Sequence, residues 1–308
     1  MITKKLKVIG SLTTMPHQYD KVVRTLDSLI AQTYKLDAIY LSLPEKSRRL
    51  GIKYPPVPKE ITDKCFVIKT EDYGPITKIA GGLLAENDPE TIIISFDNDM
   101  VYPDRMVEKL IEHHKKYPNS AIGSAGMLIG RGCPICAITP NENNYLYNIS
   151  KFFVPSEGRK VDSVFGYAGV IYIRKFFPEK EKLEEEFFNY ALINEATLFN
   201  DDVMISGYLS LKNIERRIFP NMPSVDFVKE DGERKRTEVE ISYNMDKFFQ
   251  RMNVAIETAK SVGMYATTES MNFNETIFGV AAIIVIVVII ILVICYLLIN
   301  PPHRAFDL

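Results

Sequence analysis

Ile92, Ile93 and Ile94 form an unbroken β-branched run that ends at three polar residues, Asp97, Asn98 and Asp99. The run is too short for a free-standing helix and suits a strand buried on both faces of a parallel sheet. In an open α/β sheet ligands bind just beyond the carboxyl ends of the strands. Two carboxylates two positions apart at such a place repel each other unless a cation lies near. Oxygen ligands of this kind favour Mg²⁺ or Mn²⁺, which keep several waters and bind substrate phosphates. The stretch therefore predicts a divalent metal held by Asp99 and Asp97 under a diphosphate. The competing reading is a strand-to-turn junction in which Asp and Asn cap the following helix.

The surroundings of that strand predict the fold class. Leu6–Leu12, Ala38–Leu43 and Cys65–Lys69 read as three earlier strands. The first is followed by a helix with Val22, Val23, Leu26, Leu29 and Ile30 on one face, and the third by a helix over Ile76–Leu84. A basic, Pro-rich loop over Glu45–Lys59 follows the second strand. After Asp99, Pro103 and Asp104 open a helix with Met106, Val107, Leu110 and Ile111 inward, and His113 and His114 read as surface residues near its end. Strand–helix alternation of this kind predicts an α/β fold with a mostly parallel sheet flanked by helices.

Later in the chain the pattern loosens. Ala121–Leu128 reads as a glycine-interrupted strand, 130–148 as a loop, and Val161–Ile173 as a strand kinked at Gly166-Tyr167-Ala168-Gly169, where a ligand can approach the backbone. The run 179–188 reads as a solvated, charged helix start. Asp201 and Asp202 lead into an apolar helix; Asp201 fits either a site carboxylate or a helix N-cap. Lys229–Arg236 fits a surface loop or a lid that brings Lys235 and Arg236 to phosphate, and 244–262 shows weak helical periodicity.

The chain of 308 residues is long enough for one large core, and its formal net charge of −2 lacks the basic surplus of a nucleic-acid-binding protein. Four cysteines, Cys65, Cys133, Cys136 and Cys295, make no disulfide framework; Cys133 and Cys136 form a lone pair read as reduced thiols, with a redox or half-metal role as the alternative. Ile277–Ile299 is apolar and uncharged throughout, and at 1.5 Å per residue it spans roughly 34 Å, enough for a bilayer core. It predicts a C-terminal transmembrane helix. The organisation expected is a catalytic domain over 1–250, a helical and polar linker over 251–276, the membrane span over 277–299 and a short tail over 300–308. The first residues lack the features of a signal peptide. The expected layout is therefore a single-pass, tail-anchored protein with a cytosolic domain; the sequons at Asn148 and Asn274 would be used only in a luminal one.

A family resemblance rests on several motifs taken together. Ser11-Leu12-Thr13-Thr14-Met15-Pro16, the helix end Leu26-Asp27-Ser28-Leu29-Ile30-Ala31-Gln32-Thr33-Tyr34, the Asp97-Asn98-Asp99 triplet and the Asp201-Asp202-Val203 pair occur in the order seen in GT-A glycosyltransferases of the family 2 type. The resemblance covers roughly residues 6–215, and in the brevity of the domain the chain is similar to virus-encoded glycosyltransferases. It implies a GT-A (Rossmann-like) fold and transfer of a sugar, with inversion, from a nucleoside-diphosphate sugar to a hydroxyl of a glycan, protein or lipid. It implies Mn²⁺ or Mg²⁺ on Asp99, with Asp97 on the metal or the ribose. Thr13, Asp72, Lys78 and Asp97 would face the donor nucleotide. Asp202, beside Asp201, would be the general base, and Gly166, Tyr167 and Gly169 would shape the acceptor side. There are departures: Leu43-Pro44 stands where many members carry an Asp against the base, and Arg216 and Arg217 match the family's later arginine motif only approximately. Two other readings compete. Asp97-Asn98-Asp99-Met100-Val101 also resembles the nucleophile motif of haloacid-dehalogenase-like phosphatases, with Asp97 as nucleophile. A non-catalytic membrane-tethered binding module would carry the same motifs.

Overall fold

The computed structural model describes residues 6–129, 157–219, 222–228 and 245–266. The expected sheet is there. Strands β1 (Val8–Thr13), β2 (Ala38–Pro44), β3 (Phe66–Thr70) and β4 (Ile92–Ser95) pair in parallel, with β1 central among them. Helices α1 (Tyr19–Ile30), the short α2 (Lys59–Thr62) and α3 (Thr77–Ala85) connect them, α3 entered through a 3-10 turn at Gly74–Ile76. Each inward face read from the sequence is buried: Val22, Leu26 and Leu29 on α1, and all of Ile92, Ile93 and Ile94 on β4. Val23 and Ile30 are the exceptions; Val23 is half-buried and Ile30 is exposed.

After β4 come a two-residue strand β5 (Met100–Val101), helix α4 (Met106–Lys116) and β6 (Ser120–Gly123). The expected strand over 121–128 is in fact β6 and a separate β7 (Gly126–Met127). After β8 (Arg159–Lys160), the segment expected as one kinked strand over 161–173 is β9 (Ser163–Val164), a 3-10 turn over Gly166–Ala168, and β10 (Val170–Ile173). The kink is sharp enough to send β10 into the main sheet, antiparallel, between β4 and β6.

The charged run yields only a 3-10 turn at Lys180–Lys182 and the one-turn α5 (Leu183–Glu186). There follow α6 (Glu195–Leu198), α7 (Asp201–Leu211), β11 (Glu215–Ile218), β12 (Asp226–Phe227) and α8 (Met245–Ser261). The main sheet has the order β3-β2-β1-β4-β10-β6-β11-β8 and is mostly parallel. β11 runs parallel to β6, and β8 lies antiparallel on its edge.

This order fixes where a ligand belongs. Successive connections leave β1 toward β2 on one side and reach β4 on the other, so the sheet has its topological switch point between β1 and β4. The carboxyl ends of those two strands carry Thr13 and Asp97–Asp99.

Two expectations about α4 are corrected. His114 is 5% exposed, and His113 stacks on Phe219 with centroids 3.7 Å apart. Neither is a solvated partner of the helix dipole: burial pushes the His113 imidazole down to about 4 and lowers His114 as well. Cys65 is a free, buried thiol, pushed up to about 12 by burial, as expected of a structural cysteine. Cys133, Cys136, Cys295, both sequons, Lys235, Arg236 and the apolar run Ile277–Ile299 lie outside the described residues. Among the described residues no helix is long and apolar enough to cross a membrane.

Candidate active site at the β1–β4 crevice

A cavity of about 370 Å³ opens at the switch point, within the size range of small-ligand sites. Asp97–Asp99, at the end of β4 and termed its floor, line it together with Thr13, Thr14, Gln18, Asp72, Lys78 and Asp201. Of the predicted site residues, six meet there: Thr13, Asp72, Lys78, Asp97, Asp99 and Asp201.

The floor is held by side chains from the elements around it. Tyr102 Oη accepts the Asp97 N–H at 2.8 Å and donates to the Tyr167 carbonyl at 2.9 Å. Thr25 Oγ1 lies 2.8 Å from the Asn98 carbonyl and 2.9 Å from that of Met100, its one proton shared between them, and Asn98 Nδ2 donates to Thr14 Oγ1 and Gln18 Oε1. Asn98 thus ties the loop after β1 to the end of β4. Asp97 and Asp99 stay partly exposed toward the cavity. Burial, then the charge of Asp97, raises the Asp99 carboxyl above its ordinary value, with Lys21 and Lys78 pulling it back. A site that raises a carboxyl by a second carboxylate is one that a cation would relieve.

Lys78 is the link between the two acidic pairs. Its side chain is 6% exposed, and Nζ lies 2.7 Å from both Asp97 Oδ1 and Asp201 Oδ2. Burial opposes its charge, but Asp201, Asp97 and Asp202 together hold the ammonium well above its ordinary value. The sequence suggests a phosphate contact for Lys78; the structure places its ammonium between carboxylates.

Asp201 and Asp202 open α7, with Asn200 in the N-cap position, so Asp201 is the first helical residue and not the cap. Asp202 Oδ1 accepts the Gly166 N–H at 2.8 Å, and its carbonyl accepts Ser163 Oγ at 2.9 Å. Burial and the neighbouring Asp201 push the Asp202 carboxyl up to about 8. Asp202, Gly166, Tyr167 and Gly169 are not part of the cavity wall. Gly166 nevertheless adjoins it through Lys78: a Cβ at 166 would collide with Lys78 Nζ and stand 3.0 Å from Asp202 Oδ1. Gly169 has φ +82°, a conformation that favours glycine.

Asp72 lines the cavity, but its carboxylate is occupied by backbone. Oδ1 accepts the Gly74 N–H at 2.7 Å and Oδ2 the Arg48 N–H at 2.6 Å. Arg216 and Arg217 stand on β11 outside the cavity wall: Arg216 donates to the Ile214 and Asp162 carbonyls, and Arg217 pairs with Glu215. Sequence reasoning missed Ser47, Arg48, Arg49, Tyr54 and Phe199, all in the wall. Arg49 and Arg251 place their guanidiniums 5.4 and 5.5 Å from the Phe199 ring centroid. The basic character of the 45–59 loop was the available signal for the arginines there.

Among the described residues no three His, Cys, Asp or Glu side chains converge as a metal cage. One or two carboxylates completed by water and substrate phosphate form the usual Mg²⁺ site, and Asp97 with Asp99 fits that pattern. Comparison with models of known protein families and with curated proteins finds no match to this chain.

Proposed function

We propose that the chain is a metal-dependent inverting glycosyltransferase of GT-A type, acting on a nucleoside-diphosphate sugar. The observation that carries this reading is the placement of Asp97 and Asp99 at the β1–β4 switch point, with a second acidic pair joined to the first by Lys78. An open α/β sheet binds its ligand at that point.

In this reading the nucleotide lies along Thr13, Thr14 and Asn98, with its diphosphate over Asp97 and Asp99. A Mn²⁺ or Mg²⁺ held there would supply Lewis-acid stabilisation of the departing diphosphate. Asp202 in its ionised form, half populated near pH 8, accepts the proton of the acceptor hydroxyl. The Gly166 N–H fixes one of its oxygens and leaves the other for the acceptor. Lys78 keeps Asp97 and Asp201 from repelling each other. Its third N–H remains for a phosphate in the cavity that Lys78 lines.

The test is release of free nucleoside diphosphate from UDP- and GDP-sugars by the purified chain with Mn²⁺. Turnover that requires both Asp99 and Asp202 supports the proposal. Hydrolysis of a generic phosphomonoester through Asp97, without turnover of either sugar nucleotide, overturns it in favour of the phosphatase reading.

A further inference from the structure

The segment after β2 is not an irregular loop. Lys46 and Lys53 form an antiparallel bridge, Ser47 N–H donates to the Ile52 carbonyl at 2.8 Å, and Tyr54 N–H donates to the Glu45 carbonyl at 3.1 Å. These bonds close a small hairpin. Its turn is made by Gly51, at φ +68°, whose N–H returns to the Ser47 carbonyl at 2.8 Å. The root is pinned twice: Asp72 takes the Arg48 N–H, and Tyr54 Oη donates to the Thr14 carbonyl at 2.8 Å.

The tip carries apolar side chains outward. Leu50 is 42% exposed and Ile52 49% exposed, and a Cβ added at Gly51 would have no atom within 4 Å. Lys46 and Lys53 flank the tip in the hairpin, and Arg48 and Arg49 precede it with their guanidiniums on the Asp72 carbonyl and over the Phe199 ring. Glu45 pairs with Lys53 at 3.0 Å on the surface, and the four cations against that one carboxylate leave Glu45–Tyr54 with a net charge of +3. An ordered apolar tip on a net-basic hairpin is the pattern of an element that enters the interface of an anionic bilayer.

We propose that the Leu50–Ile52 tip docks into the headgroup region of a bilayer containing anionic lipids. Because Ser47, Arg48, Arg49 and Tyr54 at the root line the cavity, docking brings its rim toward the lipid surface. Two partly exposed apolar side chains are too few to hold a free protein on a membrane. The proposal therefore rests on the tether expected of Ile277–Ile299, and it does not depend on the glycosyltransferase reading.

The chain has no tryptophan, so Leu50→Trp introduces a single indole, excited selectively over the tyrosines, at an already exposed position. The full-length variant is reconstituted into phosphatidylcholine vesicles with and without phosphatidylserine, each carrying brominated acyl chains. Ile193→Trp, 45% exposed on a different element, is the control. The expected result is a blue-shifted emission for Leu50→Trp, quenched severalfold more in the phosphatidylserine vesicles, with Ile193→Trp unaffected. Adding Lys46→Glu and Lys53→Glu should reverse most of that quenching. An integrated chain whose tryptophan at position 50 stays water-like overturns the docking and leaves the tether standing. Equal quenching of both tryptophans also overturns it, and a chain that does not associate with vesicles overturns docking and tether together.

Discussion

The ammonium of Lys78 lies 2.7 Å from the Asp201 carboxylate, joining the helix after β3 to the first turn of α7. With the equal contact to Asp97 this makes one charge serve two acidic pairs distant in sequence. Removing one partner of a buried ion pair leaves uncompensated charge, at a cost of several kcal/mol. Asp97 is about one-third exposed at its side chain, so solvent screens part of that cost. Lys78→Met is expected to destabilise the domain by about 2–3 kcal/mol, read as a lower midpoint in denaturant unfolding. A midpoint equal to that of the parent would show that the two contacts contribute nothing to stability.

Gly166 separates stability from chemistry. Its N–H orients Asp202, and any side chain there meets Lys78 and Asp202. Gly166→Ala is expected to cost about 1–3 kcal/mol through overpacking and to lower sugar transfer by about a hundredfold or more by displacing the base. Steady-state rates and denaturant midpoints measured on the same preparation check the two effects. Unchanged transfer would remove Gly166 from the site.

The raised Asp202 carboxyl sets a pH dependence of opposite sign to the usual carboxylate. Its folded-state pKa lies above the unfolded value of about 3.9, near 8. The folded state therefore holds the proton more tightly, and stability from this group is present at low pH and is lost as pH rises toward 8. Asp202→Asn, which keeps an oxygen for the Gly166 N–H, is expected to stabilise the metal-free protein by about 1 kcal/mol at pH 8.5. The gain should vanish near pH 4. Thermal unfolding across that range is the measurement, and a gain independent of pH would contradict the assignment.

His113 and His114 act in the other direction. Burial holds both imidazoles neutral in the fold, His113 down to about 4, while the unfolded chain protonates near 6.5. The contribution of each is complete above about pH 6.5 and is lost as pH falls, for His113 toward about 4. His113→Phe keeps the ring stacked on Phe219 and is expected to flatten the acid side of the stability curve. A curve as steep as that of the parent would assign acid sensitivity elsewhere.

The elements that could be read from the sequence are those whose signal is local. The β4 run Ile92–Ile94 is buried on both faces and so shows no alternation, and the apolar stripe of α1 recurs at helical spacing within a dozen residues. The Asp97–Asp99 floor is legible because it follows such a strand directly. What could not be read depends on partners far along the chain. His113 looks like a solvated residue among lysines until Phe219 covers it. Val161–Ile173 looks like one strand because only the pairing of Ile171 with Ile94 and Ile122 shows that β10 inserts antiparallel. Lys78 has no local feature that points to Asp201. Asp72 reads as a free carboxylate, yet its oxygens are taken by the N–H groups of Gly74 and Arg48.

If Asp99 and Asp97 hold a cation under a nucleoside diphosphate, nucleotide binding depends on that cation. Calorimetric titration of the purified chain with UDP and GDP, with and without Mn²⁺, measures this dependence. One nucleotide is expected to bind, only with Mn²⁺ and not to Asp99→Ala, while Asp202→Asn binds it as the parent does. Absence of binding for both nucleotides, or binding indifferent to Mn²⁺ and to Asp99→Ala, would contradict it and reduce the Asp97–Asp99 stretch to a polar turn at the end of β4.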